Sequence, residues 1–88
     1  MKYETLTLDT SADGLTLITL NRPEVRNALN TQMGKDLREI FAPLAFHPQD
    51  KRCIIITGSG DKAFCAGGDL KERNGMTDEA WRIQHAIF

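Results

Sequence analysis

The sequence predicts a mixed α/β fold, and three observations carry that expectation. Two short runs, YETLTLDT (3–10) and GLTLITLN (14–21), have the alternation and the Thr, Leu and Ile content of strands. A third, RCIIITG (52–58), is continuous and β-branched, as in a buried strand. Apolar residues elsewhere recur at spacings of three and four, the period of a helix.

Taken in order, the first two runs read as a β-hairpin, because Asp13 and Gly14 between them supply turn chemistry. After NRPEVRNAL, Asn30 is placed to cap a helix whose Met33, Leu37, Ile40, Phe41 and Leu44 form one stripe. Pro43 removes a donor and crowds the preceding turn, so the helix ends or kinks there. FHPQDKR (46–52) is a polar connection into the 52–58 strand, and a glycine-bearing loop follows from Gly58 to Gly68. A short helix, DLKER, opens at Asp69. A longer one begins near Thr77, an N-cap followed by Asp78 and Glu79, which suit the helix dipole. Met76 is placed to staple against Trp81, and Ala80, Ile83 and Ile87 continue the inward stripe. The last residues, WRIQHAIF, contain no capping glycine and no polar tail, which predicts a truncated domain.

The totals exclude several classes. At 88 residues the chain forms at most one small domain, and a complete enzyme of that size is unusual. A net charge of −1, with no run of like charges, argues against a nucleic-acid partner. No apolar segment reaches the roughly 18 residues a membrane span needs, and the first ten residues have no apolar signal region, so a cytoplasmic chain is expected. Cys53 and Cys65 form no CxxC and have no paired histidines nearby, so neither a metal site nor a disulfide is expected. His47 and His85 read as surface residues, and Phe64 as a core residue beside Ile54 and Ile56.

The loop KAFCAGGDL (62–70) poses the functional question. GSGDKA matches a dinucleotide fingerprint, but that motif must open a long helix, and Gly67 and Gly68 interrupt it. Glycines also serve turns with no chemical role. Four small residues in a row, Cys65, Ala66, Gly67 and Gly68, allow a third reading: a ligand lies against the backbone. Main-chain N–H groups there would face an oxygen that gains negative charge during reaction. Asp69 then serves as the helix cap.

The pattern NRP-x-x-x-NAL, in ITLNRPEVRNALN, followed by RCIIITGSGDKAFCAGGDLKE closely resembles the enoyl-CoA hydratase/isomerase (crotonase) superfamily. The resemblance runs over nearly the whole chain, in order, although family members are considerably longer. It implies the N-terminal part of a crotonase-like spiral of ββα units, usually a trimer or hexamer, that binds acyl-CoA thioesters. No metal or redox cofactor is implied, since coenzyme A arrives as part of the substrate. By the same resemblance the Ala66 N–H is one of two donors to the thioester oxygen. Glu24, Val25, Arg26 and Ala28, with Ala66, Gly67, Gly68 and Asp69, would line the bound CoA, with Arg26 able to approach phosphate. Such a donor is typically worth a few kcal/mol in the barrier.

The family's second donor and its acid/base glutamates lie beyond Phe88. None of Glu4, Glu24, Glu39, Glu72 or Glu79 occupies a matching position, so 88 residues alone should be catalytically silent. The leading expectation is an enoyl-CoA hydratase. The alternatives are another reaction of the superfamily such as isomerisation or dehalogenation, a non-catalytic oligomerising fragment, and a dinucleotide-binding unit.

Overall fold

A computed structural model describes residues 3–47 and 51–88. Pro48, Gln49 and Asp50, in the expected polar connection, lie outside the described residues. Strands β1 (Leu6–Thr10) and β2 (Leu15–Leu20) form the expected antiparallel hairpin, with Leu6 opposite Leu20 and Leu8 opposite Ile18. The turn is closed by Ser11 N–H donating to Leu15 O and Gly14 N–H donating to Ser11 O. Strand β3 (Cys53–Gly58) pairs with β2 in parallel, Leu17 beside Ile55 and Ile18 beside Ile56, giving a three-stranded mixed sheet in the order β1-β2-β3.

Helix α1 (Thr31–Phe41) is the crossover that a parallel pair requires. Asn30 caps it as expected, its side chain accepting from Met33 N–H at 2.9 Å. The helix ends just before Pro43, as expected, and the chain tightens into a 3-10 turn at Ala42–Ala45. The inner sheet face and α1 enclose a core of Leu6, Ile18 and Ile40, with Tyr3, Leu8, Leu37 and Ile54 packed against it. Ile18 and Met33 are completely buried, each contributing roughly 1.5–3 kcal/mol by removal from water. Asp36, buried on α1, accepts from the Thr5 N–H and hydroxyl and from Gln32, tying the helix to the approach of β1.

Two short elements complete the fold. Helix α2 (Leu70–Asn74) is capped by Asp69, and α3 (Asp78–Ile87) by Thr77, whose hydroxyl accepts from Ala80 N–H. Helix α3 packs on α1, where Phe88 and Ile87 lie against Gly34.

Several burial expectations are overturned. Strand β3 is not buried: Ile55 and Ile56 are 45% and 41% exposed, because β3 is an edge strand and only its inner-face Ile54 joins the core. Phe64 is 57% exposed, standing out from the loop and not beside Ile54. On α3 the inward residue is Gln84, 1% exposed, while Ile83 points out. The stripe runs through Ala80, Gln84 and Ile87, keeping helical spacing with Gln84 in place of the expected Ile83. Trp81 places its ring on His85 one turn on, with centroids 3.8 Å apart, and stays half exposed.

Candidate functional site

The segments 24–28 and 66–69, distant in sequence, are hydrogen-bonded to each other. Ala66 N–H donates to Arg26 O at 3.0 Å, Leu29 N–H to Gly67 O at 2.7 Å, and Asp69 N–H to Leu29 O at 3.0 Å. This short parallel ladder, centred on the Leu29–Gly68 bridge, sets the loop after β2 edge to edge with the loop after β3. Of the residues expected at the site, Arg26 and Ala28 are brought alongside Ala66, Gly67, Gly68 and Asp69, while Glu24 and Val25 lie in the 3-10 turn just before them.

The approach to the ladder is shaped by an unusual backbone. A 3-10 turn at Pro23–Val25 ends in two successive left-handed residues, Arg26 (φ 54°) and Asn27 (φ 58°). Asparagine tolerates this region because its short amide can bond locally. Here Asn27 is fully buried; its Oδ1 accepts from Arg22 N–H, and its Nδ2 donates to the Ser59 and Ala63 carbonyls. Gly58 makes room for that amide. A Cβ on Gly58 would stand 2.3 Å from Phe64 O and 2.7 Å from Asn27 Nδ2.

Arg22 spans the two segments with its guanidinium. Nη1 donates to Ala28 O at 2.6 Å, and Nη2 meets Asp69 Oδ2 at 3.0 Å. Asp69 also caps α2 by accepting Glu72 N–H at 3.1 Å. That amide bond, and secondarily Arg22, hold its carboxyl below the ordinary value of 3.8, against the opposing effect of burial. The carboxylate thus stays ionised and occupied, in the structural role expected of it.

The expected contact residues divide by what they leave available. Glu24, Val25 and Arg26 are exposed along the rim. Ala28 is buried, its N–H bonded to Val25 O and its carbonyl to Arg22, so its main chain is already satisfied. The Ala66 N–H is likewise engaged, by Arg26 O. The N–H groups of Gly67 and Gly68, in contrast, have no acceptor among the described residues. Gly67 adopts φ 95°, a conformation glycine reaches without strain, and no atom lies within 4 Å of where its Cβ would be. The turn is open, and its unsatisfied donors are at Gly67 and Gly68.

Behind the turn, Glu72 accepts Thr31 N–H, Thr31 Oγ1 and Gln84 Nε2 on one carboxylate oxygen, joining α1, α2 and α3. Neither Asp69 nor Glu72 is free to move protons at the turn. An open groove of about 470 Å³ between α1 and α3, lined by Leu37, Phe41, Ile87 and Phe88, holds no carboxylate or histidine either. The two histidines are exposed, as expected of surface residues. Among the described residues no group of three His, Cys, Asp or Glu is arranged to hold a metal, and no helix is long and apolar enough to cross a membrane.

Sequence reading missed Arg22, Asn27 and Gln84. The signal for Asn27 was present, since an asparagine closing a proline turn is a candidate for positive φ.

The loop after β3 opens no long helix, and the first helix beyond it, α2, has five residues, so the dinucleotide fingerprint lacks its required context. The sequence profile of the enoyl-CoA hydratase/isomerase family matches residues 10–86. The chain belongs to the enoyl-CoA hydratase/isomerase family. Among its relatives, YngF of Bacillus subtilis is 52% identical over 59 residues, covering 67% of this chain and 22% of YngF. The crystal structure of enoyl-CoA hydratase from Bacillus anthracis superposes with a TM-score of 0.83 at 34% identity, covering 96% of this chain and 32% of that one. Pseudomonas aeruginosa AtuE gives 0.82 at 37% identity, covering 96% and 33%. The fold is thus the crotonase fold, and the family chain spans about a third of the length of these solved structures.

Proposed function

We propose that this family member is the acyl-CoA-binding part of an enoyl-CoA hydratase, receiving the thioester carbonyl against the main chain of residues 66–68. The observation that carries the reading is the ladder between residues 26–29 and 66–69, with unsatisfied N–H groups at its open glycine end. In hydration, water oxygen bonds to C3 of a 2-enoyl-CoA, a proton joins C2, and the thioester oxygen carries enolate charge in between. Fixed main-chain donors stabilise that charge more than the ground-state carbonyl, which lowers the barrier. The Gly68 N–H is ready for this role. The Ala66 N–H takes part by exchanging its bond to Arg26 O for one to the substrate. Arg26, on the rim, approaches the phosphates of CoA. Hydration itself needs a proton-moving group, and none stands free at the turn among the described residues, so the chain alone binds without turning over.

Calorimetric titration with butyryl-CoA, which cannot be hydrated, tests the reading. Saturable one-to-one binding that free CoA reproduces only weakly is expected; no binding of any thioester would overturn it. Crotonyl-CoA should be hydrated at no more than the uncatalysed rate.

A second reading rests on a separate observation. Leu15, Leu17 and Ile55 lie together on the outer sheet face, each 38–45% exposed, and contiguous apolar surface of this kind marks an interface. It favours assembly of the chain with itself, which light scattering would detect as a mass above that of the monomer.

A further inference from the structure

The guanidinium of Arg73 lies over the main chain of Gly68. A methyl group added at Gly68 would stand 2.7 Å from Arg73 Cζ, 2.8 Å from Nη2 and 3.0 Å from Nε. The side chain therefore folds back from α2 onto the same turn that offers unsatisfied N–H groups.

No carboxylate among the described residues pairs with it. The two nearest along the chain are committed elsewhere: Asp69 to Arg22 and to Glu72 N–H, Glu72 to Thr31 and Gln84. A surface arginine in water ordinarily needs no partner, but this one lies against an open ligand turn, with Cζ, Nη2 and Nε all close to Gly68. A planar guanidinium matches a carboxylate with two parallel hydrogen bonds, a geometry lysine cannot reproduce.

We infer that Arg73 makes this turn selective for acyl-CoA thioesters whose acyl group carries a second, terminal carboxylate. The inference rests on reading the 66–68 turn as the thioester site. The phosphates of CoA are separated from the thioester carbonyl by the length of the pantetheine arm. A carboxylate on a short acyl chain, in contrast, is only a few bonds from the carbonyl that lies against Gly68.

The test compares two probes of equal chain length, glutaryl-CoA with its terminal carboxylate and pentanoyl-CoA with a methyl end. Both are titrated into the chain and into R73M and R73K. Glutaryl-CoA is expected to bind about 10-fold more tightly than pentanoyl-CoA, from one charge-assisted pair in a partly solvated site. In R73M the ratio falls to about one, and R73K, which keeps the charge but loses the fork, falls between. Arg73 is exposed, so both variants should retain the parent's circular dichroism and melting curve. A ratio near one in the parent, or a ratio that survives R73M, overturns the inference while leaving the thioester site standing. Failure of pentanoyl-CoA and glutaryl-CoA alike would remove the thioester site itself.

Discussion

Nη2 of Arg22 lies 3.0 Å from Oδ2 of Asp69, an ion pair joining residues 47 positions apart, with both side chains largely withdrawn from water. The same guanidinium reaches Ala28 O, so one side chain clamps both loops of the site. Arg22→Ala is expected to lower unfolding free energy by about 2 kcal/mol, since it strands a carboxylate and a carbonyl that are mostly desolvated. Urea denaturation reads the loss, and butyryl-CoA affinity should fall with it. An unchanged midpoint would show that the clamp contributes nothing.

Asp69 gives the site an acid limit. Its carboxyl is held below its ordinary value of 3.8, first by the Glu72 amide and then by Arg22. A lowered folded-state value means that its contribution is complete above the unfolded value. It is lost as pH falls from there through the folded value. Stability should therefore drop below about pH 4, and Asp69→Asn, which keeps the cap but not the charge, should flatten that part of the curve. Melting temperatures between pH 2 and 6 provide the comparison.

Gly58→Ala should be among the most damaging small substitutions. Its Cβ would meet the Phe64 and Ala63 carbonyls and the Asn27 amide, at 2.3, 2.9 and 2.7 Å. Backbone cannot move aside as a flexible side chain can, so a loss of roughly 3 kcal/mol or failure to fold is expected. Gly67→Ala makes a useful control, because the space there is open and only its φ of 95° resists. It should cost about 1 kcal/mol.

Glu72→Ala would leave the Thr31 N–H without its acceptor and the buried Gln84 amide nitrogen with Thr31 Oγ1 alone. Gln84 Oε1 already has no partner, so this helix junction tolerates little further loss. A destabilisation of about 1–3 kcal/mol is expected. Hydrogen exchange should speed up at the start of α1 and in α3 before it does in the β1–β2 hairpin.

Much of this was legible in the sequence, for a local reason. Asn30, Asp69 and Thr77 were readable as caps because a cap bonds within its own first turn, and the hairpin because its strands are neighbours. Burial was less legible. Phe64 and Ile56 look like core residues by composition, yet what covers a side chain is decided by segments far along the chain. Gln84 lay hidden between Ile83 and His85 because a polar residue gives no signal of burial until its partners, Thr31 and Glu72, are in place. The residues proposed for CoA were legible as a pattern, but which amides remain unbonded there depends on a ladder that spacing does not reveal.

That ladder turns on Leu29, which donates to one side of the glycine turn and accepts from the other. Successive main-chain groups along an extended segment point in opposite directions. Adding or deleting one residue next to Leu29 would therefore exchange the amides that face the protein for those that face the ligand, even with every side chain kept. The lengths of the more distant loops are under no such constraint. Recognition of the thioester carbonyl here depends on phase: the chain must arrive in step.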